Sequence, residues 1–176
     1  TMLLSLTGMR AQQVSEIYEE LPNPVATDAS KWARVTNPII AWGSTDVRYH
    51  KELPAQVAPV GIMNLTGWMG EKLSAQFVIS TNRDLKNVSV EVSDIVAKNY
   101  KISKWNTERG FVRYVMTDEL NKDGKGGCGH RPNKADWDST LVADVIDHIT
   151  PALDIKKHTT QPVWVSVKVP CENIIK

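Results

Sequence analysis

The chain has 176 residues, of which 41% are hydrophobic and 23% are charged, and its formal net charge is +1. This composition is that of a folded globular protein with a real core, and it excludes disordered and collagen-like classes. Because the charge is balanced and no long basic run occurs, nothing in the composition favours binding to nucleic acid.

The first feature along the chain is the apolar run MLLSLTGM at residues 2–9, which is too short to span a bilayer. Since Ala11 and two glutamines follow, we interpret residues 1–11 as the remnant of a secretory signal peptide. The alternative is a buried first helix. The signal interpretation predicts an exported protein, periplasmic or at the cell surface, without a membrane span.

Residues 12–40 are then a lead-in segment before the main domain. Within it we expect a short amphipathic helix at residues 15–21, which the turn from Pro22 to Pro24 ends. A helical turn is expected at residues 28–32, with Ser30 as its N-cap.

The remaining chain is rich in short β-type segments bounded by turns. Residues 39–42 form an apolar run, residues 95–105 a weaker strand, and residues 141–149 either a strand or a helix. The clearest strands are residues 73–80 (LSAQFVIS), residues 88–92 (VSVEV, after a turn at 82–87), residues 111–116, and residues 163–169 between Pro162 and Pro170. This spacing predicts an all-β, antiparallel β-sandwich at residues 41–176. Nothing closes the sheet after Pro170, so we expect the sandwich to be truncated at its C-terminus.

The strand at residues 111–116 leads into a glycine-rich segment, which we call the glycine loop (residues 118–131). Its four glycines are Gly124, Gly126, Gly127 and Gly129. A turn that only reverses a strand needs one or two residues of special φ, so this density indicates a backbone that passes close to another surface. A mobile loop without function is the alternative.

Several residues of the loop suggest a metal or cofactor, but none of the patterns is complete. Residues 119–124 have the spacing of the first half of a calcium loop, yet His130 stands where a bidentate Glu is needed, so we favour a hydrogen-bonded turn. Cys128 and His130 lack a third ligand for zinc. No phosphate or dinucleotide fingerprint occurs, and we expect no cofactor. Whether Cys128 and Cys171 form a disulfide stays open.

The acidic and aromatic residues around the loop also have two interpretations each. Asp118 and Glu119 are adjacent on an extended strand, so they point to opposite faces and favour turn stabilisation over acid/base chemistry. Trp137 can stack on a sugar or pack beneath the loop. Trp42 and Trp68 are interpreted as core or domain-interface residues.

Five segments together resemble the N-terminal β-sandwich domain of glycoside hydrolase family 123. They are residues 42–49 (WGSTDVRY), 70–94 (GEKLSAQFVISTNRDLKNVSVEVSD), 111–131 (FVRYVMTDELNKDGKGGCGHR), 138–147 (DSTLVADVID) and 159–170 (TTQPVWVSVKVP). The resemblance implies that a (β/α)8 barrel follows the sandwich, and that the enzyme is β-N-acetylgalactosaminidase-like. In that family the substrate's acetamido group acts as nucleophile, assisted by an Asp-Glu pair on the barrel.

No catalytic residue carries over, because the Asp118–Glu119 pair lies in the sandwich. We therefore expect an accessory domain whose partners are the barrel and a glycan. The alternatives are a stand-alone carbohydrate-binding or surface-adhesion module, and a small hydrolase. The candidate substrate- or domain-interface residues are Asp118, Glu119, Gly126, Gly127, Cys128, Gly129, Arg131 and Trp137.

Overall fold

The computed structural model describes residues 18–57, 61–98, 100–118 and 138–171. In these ranges the chain forms nine strands and two short 3-10 helices. The strands are β1 (Ile39–Gly43), β2 (Lys72–Thr81), β3 (Leu85–Ser89), β4 (Ile95–Ala97), β5 (Tyr100–Ile102), β6 (Thr107–Thr117), β7 (Thr140–Asp147), β8 (Ala152–Ile155) and β9 (Thr159–Lys168). The helices are Ala29–Trp32 and Lys104–Asn106.

All strand pairs are antiparallel, which confirms the predicted all-β, antiparallel sandwich. The main sheet has five strands in the order β1-β2-β9-β6-β7. The pair β3-β8 forms a second sheet and β4-β5 a separate hairpin. No helix of the described residues has the length and apolar character of a membrane span.

One face of the main sheet packs against the β3-β8 pair. Ile79, Phe111 and Val163 of the main sheet meet Ile155 of β8 in a buried cluster. The alternation of residues 73–80 predicts this face, because it places Phe77 and Ile79 on the same side.

The opposite face is covered by the long connection between β1 and β2 instead of by strands. The backbone N–H and C=O groups of this connection need hydrogen-bond partners, and polar side chains of the sheet provide them. Gln76 donates to the carbonyls of Ser44 and Val47 at 2.8 and 3.1 Å, and Ser80 accepts from the Ala55 amide at 3.1 Å. This face is therefore buried although half of its side chains are polar.

Strands β6 and β9 separate part-way along their length. They are paired from Thr107↔Val167 to Phe111↔Val163, after which β6 continues with β7 alone. The gap is filled by the buried side chain of Gln161, which donates to the Val112 carbonyl at 2.8 Å. Pro162, predicted to bound the strand, instead lies inside β9. Its missing N–H is tolerated because β6 no longer pairs there.

Some further predictions differ from the structure. Asp28, not Ser30, is the N-cap of the first 3-10 helix, because its carboxylate accepts from the Ser30 amide at 2.9 Å. Residues 18–21 are not helical. The strand predicted at 88–92 begins earlier, at Leu85, and ends at Ser89. Residues 140–147 are a strand, which settles the strand-or-helix alternative. The lead-in and domain boundaries stay predictions.

Candidate domain-interface site

Asp118, the first residue of the glycine loop, is bonded to Asp138, which lies just before β7. Asp118 follows β6 directly, and its Oδ1 accepts a hydrogen bond from the Asp138 amide at 2.8 Å. Asp138 in turn accepts from the Thr140 hydroxyl at 3.0 Å, at the start of β7. The Asp118 carboxylate thus holds the base of the loop between two adjacent strands.

The other predicted site residues lie outside the described residues, and their roles stay predictions. They are Glu119, Gly126, Gly127, Cys128, Gly129, Arg131 and Trp137. The calcium-loop interpretation and the Cys128–Cys171 pairing are untested for the same reason. Cys171 itself is exposed.

A partly buried ionic cluster, formed by Glu20, Lys51, Arg113 and Asp147, lies at the gap beside β6. Arg113 donates from Nε to Glu20 at 2.8 Å and from Nη1 to Asp147 at 2.9 Å. Lys51 contacts the second oxygen of Glu20. The cluster contains two acids and two bases, so its formal charge is balanced, and sequence reasoning missed it.

The pKa values in this cluster show which groups are stabilised as ions. Burial acts to raise the pKa of Glu20, but hydrogen bonds from Lys51 and Arg113 outweigh it and lower the pKa. Burial likewise opposes ionisation of Asp147, yet hydrogen bonds from Thr150, Ile149 and Arg113 lower its pKa. Both carboxylates are therefore held ionised as structural partners.

Tyr114 is the central polar group of the gap. Its hydroxyl donates to the Thr160 carbonyl at 2.7 Å and lies 3.0 Å from the Tyr49 carbonyl. Burial, followed by the charges of Glu20 and Glu52, raises its pKa well above the ordinary value. The phenol is therefore neutral and acts as a fixed hydrogen-bond donor.

An apolar cleft of about 420 Å³ opens between the main sheet and the segment after β3. The sheet contributes Ile40, Trp42, Phe77 and Val165, and residues 90–93 form the facing wall. Trp42 and Phe77 meet edge to face, with ring centroids 5.6 Å apart. The cleft has the character of an apolar contact site. Its described lining contains one carboxylate, Glu91, so an acid/base pair is not assembled from that lining.

Two tryptophans project from one end of the sandwich into solvent. Trp68 is 84% exposed and Trp105 is 85% exposed. Trp68 was predicted to be a core or interface residue, and the structure excludes the core. Sequence reasoning did not single out Trp105. The signal was present, because Gly67 and Gly70 flank Trp68, and Ser103 and Asn106 flank Trp105, as turn-forming residues.

The parts of the chain described by the structure contain no group of three or more His, Cys, Asp or Glu side chains that could hold a metal ion. Ser139, Asp144 and His148 are the residue types of a hydrolytic triad, but Asp144 and His148 contact other residues. Asp144 lies 3.8 Å from Arg48, and a ring nitrogen of His148 lies 3.0 Å from the Arg109 carbonyl. These contacts are structural.

Comparison with protein-family models shows which family this chain belongs to. Residues 42–174, well over half of the chain, match the family model of the glycoside hydrolase 123 N-terminal domain. The chain belongs to this family. The resemblance found in the sequence is thereby confirmed. A search of curated proteins finds no match.

Solved structures include a family 123 glycoside hydrolase from Clostridium perfringens, analysed for the details of glycolipid glycan hydrolysis. It is similar over 80% of this chain, with a TM-score of 0.60 and 20% sequence identity. At 20% identity, this structural similarity shows that the two proteins share a fold. The match covers 22% of that chain, so the present chain spans about a fifth of the enzyme's length.

The glycoside hydrolase 123 N-terminal domain, as matched here, begins within β1 and extends past β9. It includes the cleft except for Ile40 and Ala41, both exposed tryptophans and the glycine loop. Glu20 of the ionic cluster precedes the matched residues, whereas Lys51, Arg113 and Asp147 lie inside them. The lead-in segment therefore completes the ionic cluster of the domain.

Proposed function

We propose that this chain is the non-catalytic N-terminal accessory domain of an exported glycoside hydrolase acting on N-acetylgalactosamine-containing glycans. The observation that carries the proposal is the family match over residues 42–174, since that family is an N-terminal domain of glycoside hydrolases. The similar enzyme from Clostridium perfringens, studied for glycolipid glycan hydrolysis, supports a glycan as the substrate class of the parent protein.

The non-catalytic role is supported by what the described acidic residues do. Asp118 closes a loop, Asp147 and Glu20 neutralise Arg113 and Lys51, and Asp154 binds the Lys86 amine at 2.6 Å. A glycosidase needs two carboxyl groups placed about 5–10 Å apart across a substrate cleft, or one that orients the substrate's own nucleophile. Carboxylates tied to structural cations are poorly suited to either task.

For the glycine loop we propose contact with the (β/α)8 barrel of the parent protein or with its substrate. The hydrogen bond between Asp118 and Asp138 supports this, because it ties the start of the loop at the end of β6 to the residue that precedes β7, and the two strands are adjacent in a rigid sheet. Binding loops on rigid scaffolds are a common arrangement.

A stand-alone carbohydrate-binding module is the second candidate, and the exposure of Trp68, Trp105 and Tyr100 favours it. Sugar platforms place aromatic rings side by side on one surface. Here Trp68 lies in a turn, Trp105 in a 3-10 helix and Tyr100 in β5, which is a hairpin strand. Trp68 and Trp105 share one end of the sandwich, but the three rings are not arranged in a row on one sheet face, so the accessory role is favoured.

The test is turnover of an aryl N-acetylgalactosaminide by the full-length parent protein and by residues 1–176 alone. We expect the full-length protein to be active and the folded 176-residue chain, with its fold checked by circular dichroism, to be inactive. Activity of the isolated chain that Asp118→Asn or Glu119→Gln abolishes would contradict the proposal. Glycan binding by a full-length protein without turnover favours the second candidate.

A further inference from the structure

One end of the sandwich displays large apolar side chains that are mostly exposed, although the Lys104 amine lies 5.3 Å from the centre of the Trp105 ring. Besides Trp68 and Trp105, Met69 is 67% exposed. We call these three residues the exit surface. Exposed tryptophans grouped at one end of a domain are unusual on a monomer and mark an interaction site.

The strand register brings the three residues together. Leu73 of β2 and Thr107 of β6 both pair with Val167, so β2 and β6 start on either side of the end of β9. At the usual strand spacing these two starts are about 10 Å apart. Trp68 and Met69 precede β2 closely, and Trp105 precedes β6 by two residues.

Both tryptophans are held on ordered backbone. The Trp68 amide donates to the Glu71 carboxylate at 2.7 Å, and the Glu71 amide donates back to the Trp68 carbonyl at 3.1 Å. The helix that carries Trp105 is fixed by the bond from the Lys104 amide to Asp94, at 2.8 Å. An ion pair of 2.5 Å joins Lys72 to Glu108 across the end of β9. The fold itself therefore holds the backbone of Trp68 and Trp105 in these exposed positions.

After β9 the chain continues beside the turn that carries Trp68. The Gly70 amide donates to the Val169 carbonyl at 2.9 Å, which ties the end of β9 to the turn that carries Trp68. Gly70 has a φ of +81°, and a Cβ there would lie 3.1 Å from the Cys171 sulfur. Cys171, the last described residue, therefore lies beside the turn that carries Trp68 and Met69.

We infer that the exit surface is the docking site for the domain that follows the sandwich in longer proteins of this family. The inference rests on the proposed function for the existence of that domain. The similar enzyme extends well beyond the match, which covers 22% of it, and the matched family is an N-terminal domain. Tryptophans at the centre of an interface, surrounded by a polar rim, are typical of residues that dominate binding. Here Lys72 and Glu108 provide charged groups of both signs beside the exit surface.

Hydroxyl-radical footprinting of the full-length protein tests the inference directly. After correction for intrinsic reactivity, Trp68, Met69 and Trp105 should be oxidised about tenfold more slowly than an exposed reference, as expected for a desolvated interface centre. His50 is a suitable reference, because its side chain is 61% exposed. Its neighbour Lys51 lies near the other end of β9, where the Lys51 carbonyl accepts from the Thr160 amide. Oxidation of the three residues at the His50 rate would overturn the inference.

A double variant, Trp68→Ser with Trp105→Ser, provides the second measurement. Because both side chains are exposed, the sandwich should fold normally, while limited proteolysis of the junction after Cys171 becomes about tenfold faster. Leu21→Ser is the matched control, since Leu21 is 55% exposed. It follows Glu20, whose carboxylate accepts from the Tyr114 amide beyond the part of β6 that pairs with β9. Equal junction cleavage in all three proteins would contradict docking.

The outcomes separate this inference from the proposed function. Protected tryptophans in a full-length protein without glycosidase activity support docking while the proposed function fails. An active enzyme whose tryptophans react as exposed residues overturns docking alone. Protection that appears only after an N-acetylgalactosamine oligosaccharide is added would also overturn it, because the surface would then be a glycan site.

Discussion

Glu20 connects three distant parts of the chain through one carboxylate. Its Oε1 accepts from Arg113 at 2.8 Å and from the Tyr114 amide at 3.2 Å, and its Oε2 contacts Lys51. Removing one member of a buried ion pair leaves its partner charged and unpaired, which costs more than the pair contributes. The stability of the domain is therefore sensitive to this single side chain.

Glu20→Gln should lower the free energy of unfolding by about 2–3 kcal/mol, because Arg113 and Lys51 lose a charged acceptor. Urea denaturation at neutral pH measures the change. Glu108→Gln is the control, since Glu108 pairs with Lys72 at the surface, with 57% of its side chain exposed, and should leave stability nearly unchanged. An equal effect of both substitutions would refute the importance of the cluster.

The same carboxylates predict how stability depends on pH. The pKa of Glu20 and that of Asp147 are lowered from their ordinary values of 4.5 and 3.8. The unfolded chain therefore binds protons first as pH falls, so this stabilisation is complete above about pH 4.5 and is lost below it. Urea midpoints between pH 7 and pH 3 should fall less steeply for Glu20→Gln than for the wild type. Parallel pH profiles would show that Glu20 is not stabilised as an ion.

At the scale of strands, the gap between β6 and β9 is the main departure from a regular sheet. The backbone N–H and C=O of Tyr114 are bonded to Glu20 and to the Tyr18 hydroxyl instead of to a strand. The Tyr114 hydroxyl and the Gln161 amide bridge the rest of the gap. Side chains thus replace a stretch of ladder hydrogen bonds.

Tyr114→Phe should destabilise the domain by about 1–3 kcal/mol, because the Thr160 carbonyl loses its buried donor. Chemical denaturation measures the loss, and amide exchange at Thr160 should accelerate. Tyr100→Phe, on the exposed β4-β5 hairpin, is the control and should have little effect. Unchanged stability and exchange in Tyr114→Phe would mean that the gap is held together by packing alone.

The sequence predicted strands well where one face is apolar over several alternate residues, as in β2, β6 and β9. It did not reveal β8, because Ala152–Ile155 is too short to show a period. The gap and its ionic cluster were not predictable either, since Glu20 and Arg113 are 93 residues apart and the contact depends on register. Of the candidate site, the strand that leads into the glycine loop was predicted, whereas the bond between Asp118 and Asp138 needed the pairing of β6 with β7 and the exit surface needed the strand order.

At the scale of the whole molecule, the exit surface and Asp118, where the glycine loop begins, lie at opposite ends of β6. Eleven residues of strand separate them by about 34 Å at roughly 3.4 Å per residue. A barrel of roughly 250 residues has a diameter of about 46 Å, so one barrel docked at the exit surface is long enough to reach the loop. Both contacts are compatible with a single partner domain.

Gly127→Val in the full-length enzyme should lower kcat/KM by about tenfold while the melting temperature of the sandwich stays the same, since a side chain in a close backbone approach displaces the loop from its partner. Gly61→Val is the matched control, because a Cβ at Gly61 meets nothing within 4 Å. If both variants match the wild type in kcat/KM and in junction cleavage, the loop has no functional contact.

If residues 1–11 are a signal peptide, export shortens the chain at its N-terminus. We expect the secreted full-length protein to lack about the first eleven residues, because an apolar run followed by Ala11 is typical of a signal-peptide end. Intact-mass measurement of the exported protein identifies its first residue. Retention of residues 2–9 in that protein would refute the signal interpretation.

The position of β9 also determines when the sheet can form. β9 is the last strand along the described chain, yet it lies between β2 and β6 and pairs with residues that precede it by more than 50 positions. Such non-local pairing gives a high contact order, which slows folding. During synthesis the edges of β2 and β6 stay unpaired until residue 168 has left the ribosome, and open edges of this kind bind other chains. We therefore expect the domain to fold only after translation of β9, and to depend on chaperone protection until then.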